Sequence, residues 1–128
     1  MSDLIIDEVM TALPHSIRSN ETLQAAHDMM KEHQIRHLPV QEGGKLVGVV
    51  SERDLYFASS LDELPLDKIK VSTVYSDEPY SVEQGTPLKE VVAHLGENYI
   101  GCALVMDQGM LVGIFTTTDA CRVLASKL

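Results

Sequence analysis

The stretch GVVSERD, Gly48–Asp54, is matched 65 residues later by GIFTTTD, Gly113–Asp119. Each is a glycine, two β-branched or aromatic residues, a hydroxyl residue, two spacers and an aspartate. Sliding the chain against itself by 65 residues aligns Val9–Asp54 with Val74–Asp119 without a gap, and 12 of the 46 positions are identical. Chance would give roughly 3, so the chain is two copies of one unit. Pro14/Pro79, Leu23/Leu88, Ile35/Ile100, Gly48/Gly113 and Asp54/Asp119 are among the identities, and Ser51/Thr116 keeps its hydroxyl.

Upstream of each repeated stretch the pattern alternates between strand and helix. HLPVQ, EGGK and LVGVV read as strand, turn and strand, as do CALVM, DQGM and LVGIF, because glycine-containing turns between short apolar runs make hairpins. Before them, SNETLQAAHDMMKEHQ predicts a helix capped by Asn20, with Leu23, Ala26, Met30 and Ile35 on its apolar face. Its counterpart is predicted to start at Thr86, with Pro87 in the first turn where its missing N–H costs nothing. Leu88, Val91, Val92 and Leu95 form that helix's apolar face, and Gly96 is expected to weaken or end it. Val9–Leu13 is a short extended piece stopped by Pro14. A second helix follows each aspartate motif, from Glu52 to about Ser60 and from Thr117 to about Lys127.

The unit is thus β-α-β-β-α, of the α/β (α+β) class, with repeat 1 over residues 1–62 and repeat 2 over residues 63–128. SSLDELPLDKIK, Ser59–Lys70, is the nearest thing to a linker. About 60 residues bury only a modest core. Two pseudo-symmetric repeats packed sheet to sheet, with helices outside, would solve that problem.

Composition narrows the partners. Ten Lys and Arg stand against 19 Asp and Glu, a formal charge of −9, with no basic cluster. Such a chain repels a phosphate backbone, so nucleic acid is not an expected partner. No apolar run approaches the roughly 18 residues of a membrane span. The start, MSDLIIDEVM, has no basic n-region and does not read as a secretory signal. Cys102 and Cys121 make no disulfide framework, and a reducing cytoplasm is the simplest compartment.

DEVMTALP, IRHLPV, GKLVGVVSERDL and, in the second copy, GCALVMDQGMLVGIFTTTD resemble the tandem CBS (cystathionine-β-synthase) domain, paired as a Bateman module. The likeness runs from about Asp7 to Leu124 and rests on order, spacing and duplication together. It implies a pseudo-two-fold pair with two clefts between the copies, adenosine-containing ligands in those clefts, and pairing into disc-shaped homodimers.

Two readings of the hydroxyl-x-x-Asp motif stand side by side. At a strand-to-helix junction, Ser51 with Asp54, and Thr116 with Asp119, make a capping box worth about 1 kcal/mol and need no ligand. The same helix start can receive a phosphate, while the carboxylate accepts from two ribose hydroxyls. Gly48 and Gly113 could then let a ligand lie against the strand. The resemblance implies the second role, and draws each cleft from both copies. It lines the Asp119 cleft with Leu13, Ile17, Arg18, Ile35, Arg36, His37, Thr116 and Thr118, and this cation-bearing cleft is the preferred nucleotide site. The Asp54 cleft draws on Ser51, Arg53, Glu78, Ile100, Gly101 and Cys102. Its carboxylates repel phosphate, so it is expected to be empty or to take a less charged ligand.

Other features carry no site. His27 and His33 lie on different helix faces, and Met29 with His33 at i, i+4 reads as packing rather than a soft-metal pair. Met29 and Met30 read as core filler. Cys102 reads as a small, partly buried thiol and Cys121 as a helix residue near a dimer surface or the core. Nothing supports catalysis or a required cofactor. The expected function is a non-catalytic regulatory module that binds AMP, ADP or ATP and signals by a conformational or dimer-geometry change to a protein partner. An S-adenosylmethionine-binding module and a ligand-free oligomerisation domain are the alternatives.

Overall fold

A computed structural model describes residues 3–128. In chain order its strands and helices are β1 (Thr11–Ala12), β2 (Ile17–Arg18), α1 (Leu23–His33), β3 (His37–Glu42), β4 (Lys45–Ser51), α2 (Glu52–Asp62), β5 (Ser81–Glu83), α3 (Leu88–Asn98), β6 (Cys102–Asp107), β7 (Met110–Thr116) and α4 (Thr117–Lys127). Short 3-10 turns cover Ile6–Glu8, Leu66–Lys68 and Val71–Thr73. Repeat 2 has the β-α-β-β-α order, and repeat 1 has two short strands, β1 and β2, before α1 where one was predicted, giving a mixed α/β fold with two sheets.

One sheet has the order β2-β3-β4 and the other β1-β7-β6-β5. Both are built alike: a parallel pair (β2 with β3, β5 with β6) continues into an antiparallel hairpin (β3 with β4, β6 with β7). The hairpins share a bulge, between Val40 and Gln41 and between Val105 and Met106. Their turns use Gly43 (φ 57) with Gly44 (φ 80), and Gln108 (φ 50) with Gly109 (φ 81). A two-residue hairpin turn that follows strand twist needs positive φ at both positions.

Helix ends differ from the sequence expectation. α1 is capped by Thr22, not Asn20, because the Thr22 hydroxyl accepts from Ala25 N–H at 3.1 Å. α3 starts at Leu88 rather than Thr86, after Pro87 as the flanking residue, and runs through Gly96 to Asn98. The stop signal is instead a left-handed residue that is not glycine: Gln34 (φ 55) after α1 and Tyr99 (φ 56) after α3. α2 continues two residues past Ser60.

The chain packs as two compact units that do not coincide with the sequence copies. One is His15–Glu78; the other is Pro79–Leu128 together with the leading segment that ends at Pro14. The leading segment of each repeat therefore belongs to the unit of the other. Thr11 pairs with Ile114, and its repeat equivalent Ser76 pairs with Val49. Ile6 is fully buried in the cluster of Leu88, Val91, Leu95, Ala103, Val105 and Phe115. Its equivalent Val71 is fully buried in the cluster of Ile17, Leu23, Ala26, Met30, Leu38, Val40, Val50 and Leu55. The segment read as a linker is part of that core, since Ile69 is buried there and Leu66 packs against it.

The exchanged segments also explain the two glycines. A Cβ on Gly48 would collide with the Ser76 carbonyl and the Tyr75 ring, and one on Gly113 with the Met10 side chain. The space beside each strand is filled by the chain itself rather than left for a ligand. Overpacking of this kind costs about 1–3 kcal/mol. Gly48→Ala should lie at the upper end of that range and Gly113→Ala at the lower, because a methionine can swing aside and a backbone carbonyl cannot. Urea unfolding of the two variants checks the order.

Candidate functional site

The two hydroxyl-x-x-Asp motifs stand at the starts of α2 and α4, and both form full capping boxes. Asp54 N–H donates to Ser51 Oγ at 3.2 Å, and Ser51 N–H donates back to Asp54 Oδ2 at 2.9 Å. Asp119 N–H donates to Thr116 Oγ1 at 3.2 Å, and Thr116 N–H donates to Asp119 Oδ2 at 2.9 Å. The Thr116 hydroxyl also reaches Asp119 Oδ2, at 3.0 Å. The first helical N–H is taken as well: Glu52 donates to Arg36 O at 2.9 Å, and Thr117 to Gly101 O at 3.0 Å.

Each cap uses one carboxylate oxygen, Oδ2, and the second distinguishes the copies. Asp119 Oδ1 lies 3.3 Å from Arg122 Nη1, one helical turn on and well exposed. Asp54 Oδ1 has no hydrogen-bond partner among the described residues. Both carboxylates are half-buried, so an open oxygen there faces a ligand or water rather than sealed protein. Arg122 was not singled out from the sequence, although its i, i+3 spacing from Asp119 is a readable signal.

Within the 15–78 unit, β3 and β4 bring Arg36 and His37 beside the Ser51–Asp54 box, with His37 opposite Ser51. Burial holds the His37 imidazole below its ordinary value of 6.5; Asp54 opposes that effect and Arg36 reinforces it. Arg18 is not beside them, because it registers with Gln41, four residues further along β3 than His37. That is roughly 13 Å along a strand. Ile17 is a core residue, whereas Arg53 and Glu78 are exposed and Ile35 is half-buried against the core.

In the other unit Cys102 stands opposite Thr116, with Ile100 and Gly101 half-buried just before it. Leu13 N–H donates to Val112 O at 3.0 Å, and its side chain is 82% exposed. Thr118 is exposed in the first turn of α4. Cys102 is buried, with 5% exposure, and burial pushes its thiol up to about 12, so it stays protonated at neutral pH. Cys121 is exposed, not in the core.

The histidines and methionines have packing partners. His27 meets the Tyr56 hydroxyl at 3.0 Å. His15 stacks on His33 with ring centroids 3.6 Å apart, and His94 on Tyr80 at 3.9 Å. Met30 is buried in the core and Met29 packs against it. Among the described residues no three His, Cys, Asp or Glu side chains gather as a metal site, and no helix is long and apolar enough to cross a membrane.

This duplicated unit, with a capped aspartate at each strand-to-helix junction, defines a class. The sequence pattern of the CBS domain matches twice, over residues 6–60 and 71–126, and the chain belongs to the CBS domain family as a tandem pair. Among curated relatives, L-aspartate semialdehyde sulfurtransferase of Methanocaldococcus jannaschii is 28% identical over 128 residues, which is 96% of this chain; the chain spans only 24% of that enzyme's length. Among solved structures, AcuB of Vibrio cholerae has a TM-score of 0.90 at 29% identity, covering 98% of this chain and 95% of that one. A CBS domain pair in complex with 5′-methylthioadenosine and S-adenosyl-L-methionine also has a TM-score of 0.90, at 23% identity, covering 99% and 100% of the two chains.

Two outcomes follow from this geometry. Ser51→Ala and Thr116→Ala should each lower unfolding stability by about 1 kcal/mol through loss of the cap, measured by urea denaturation. His37, with its folded pKa below the unfolded value of 6.5, contributes stability that is present above 6.5. That contribution is lost as pH falls through the folded value. His37→Gln should therefore flatten the decline in stability between about pH 7 and pH 5, followed by urea midpoints across that range.

Proposed function

We propose that this tandem CBS pair is a non-catalytic regulatory module that binds adenosine-containing ligands at its two strand-to-helix junctions. The observation that carries this reading is the divided carboxylate: the cap consumes one oxygen of each aspartate, and the other, open on Asp54 and shared with exposed Arg122 on Asp119, keeps acceptor capacity for ribose hydroxyls. A ribose diol bound by one carboxylate is the recognition used in dinucleotide folds.

The Asp119 junction is the proposed site for AMP, ADP or ATP. Thr118 supplies an exposed hydroxyl there, Thr116 fixes the carboxylate through the cap, and Arg122 adds a cation close to it. Leu13, Ile35, Arg36 and His37 remain the residues proposed to complete it, while Ile17 is a core residue and Arg18 is set apart from Arg36 by the register of β2 on β3. The Asp54 junction, with Ser51, Arg53, Glu78, Ile100, Gly101 and Cys102 as its proposed lining, suits a ligand without phosphate. The solved CBS pair holding S-adenosyl-L-methionine and 5′-methylthioadenosine supports that second reading. Binding would favour one conformation or homodimer geometry only by differential affinity for the two states, and a protein partner would read the change.

Isothermal titration with AMP, ADP, ATP and S-adenosylmethionine tests the proposal. Asp→Asn keeps an acceptor for the cap but removes charge and the second acceptor. Asp119→Asn should therefore weaken nucleotide binding about tenfold, the equivalent of about 1.4 kcal/mol, at near-unchanged stability. Asp54→Asn should do the same for S-adenosylmethionine. Absence of heat with all four ligands at about millimolar concentration would leave the motifs as caps alone.

A further inference from the structure

The 15–78 unit carries a concavity of about 400 Å³ that adjoins the Ser51–Asp54 junction without including either residue, lined by His27, Met30 and Lys31 of α1, by Gln34, Ile35 and Arg36 of the following turn, and by Glu52. Its origin is the left-handed residue Gln34, which ends α1 and turns the chain back. The Met30 carbonyl then accepts from Gln34 and Ile35 N–H, and the Lys31 carbonyl from Gln34 N–H. Two carbonyls of the last turns of α1 are thereby occupied, and the residues that follow line the concavity together with those turns. Met30 and Ile35 supply an apolar floor, while Lys31, Arg36, Gln34 and His27 supply donors on the rim.

The charge at this place runs against the composition of the chain. In a protein with a formal charge of −9, two full cations line one concavity with a single carboxylate, Glu52. Neither Lys31 nor Arg36 forms an ion pair with any carboxylate among the described residues. Glu52 uses its backbone N–H on the Arg36 carbonyl, which ties the two walls together without neutralising the guanidinium. A compact cation and a planar fork of donors, lining one concavity with an apolar floor and without an ion-pair partner among the described residues, match a small oxyanion with several acceptor oxygens.

We propose that this concavity is a binding site for a phosphate-type oxyanion, with Lys31 and Arg36 as charge partners and His27 and Gln34 as hydrogen-bonding groups. It is built wholly within one unit and does not use Asp54 or Asp119. The oxyanion is either free or the phosphate of a larger metabolite.

Two-dimensional NMR of the intact chain, following the backbone amides of Lys31, Gln34 and Arg36, tests this with inorganic phosphate as the probe at matched ionic strength. The expected result is saturable shifts, absent with chloride, whose midpoint moves to about tenfold higher phosphate in Lys31→Ala and in Arg36→Ala and is lost in Lys31→Glu. Adenosine should leave the phosphate midpoint unchanged. Displacement by AMP but not by adenosine would identify a nucleotide phosphate as the occupant, and no displacement by either would identify the free ion. Both results uphold the site. No saturation by about 10 mM phosphate, equal shifts with chloride, or an unchanged midpoint in folded Lys31→Ala would overturn it. Arg36 is shared with the proposed nucleotide site, but Lys31 lines this concavity alone and Asp119 does not line it, so the Lys31→Ala and Asp119→Asn titrations fail independently.

Discussion

The structure depends on an exchange: the leading segment of each repeat completes the unit of the other. Ile6 enters the cluster under α3, and Val71, its equivalent 65 residues on, enters the cluster under α1. Burying an aliphatic side chain of this size contributes about 1.5–3 kcal/mol. The exchange also serves the backbone. Leu88 N–H, in the first turn of α3, donates to Leu4 O at 2.8 Å, and Leu23 N–H, in the first turn of α1, donates to Ile69 O at 2.8 Å. Ile6 and Val71 N–H donate in return to Thr86 O and Glu21 O. The opening N–H groups of a helix have no partner of their own, so the borrowed segment satisfies donors that a single repeat would leave open. Neither repeat is a finished core, which is why the chain crosses between units twice, at Pro14/His15 and at Glu78/Pro79.

The same constraint shapes the junctions. The exchanged segment lies across β4 and β7 at Gly48 and Gly113, where no side chain fits. Three residues further on the strand ends, and the hydroxyl of Ser51 or Thr116 turns it into a helix. The aspartate that closes each capping box serves stability with one oxygen. A structural and a functional account of the motif are therefore compatible, because a carboxylate has more acceptor capacity than the cap requires. The copies part company at the second oxygen, which Arg122 holds in one junction and no described residue holds in the other. A duplicated frame has thus kept its folding machinery while its two open positions have become chemically unlike.

Much of this was legible in the residues. The hairpins, the four helices and the capping boxes follow from local rules: turn glycines, apolar periodicity, and a hydroxyl three residues before a carboxylate. Helix ends were less legible. Gln34 and Tyr99 adopt left-handed backbone without being glycine, so composition did not mark them, and Thr22 competed with Asn20 for the cap of α1 on nearly equal terms. The segment Ser59–Lys70 looked like a linker because charge and proline hide Leu66 and Ile69, which pack on the core under α1, with the Ile69 carbonyl accepting from Leu23 N–H at the start of that helix. The proposed cation wall divides for a similar reason. Arg18 and Arg36 are both basic, but the register of β2 on β3 sets Arg18 against Gln41, and strand register is a property of pairing.

The sequence by itself determined that this chain is a duplicated β-α-β-β-α unit with a capped aspartate after each hairpin, because repeat identity, turn chemistry and capping act over a few residues. Only the tertiary structure decided which segments complete which core, what fills the space beside Gly48 and Gly113, and which oxygen of Asp54 and Asp119 lies outside the cap. Those outcomes rest on contacts between residues tens of positions apart. Their energy depends on distance and burial, and neither is set by residue order alone.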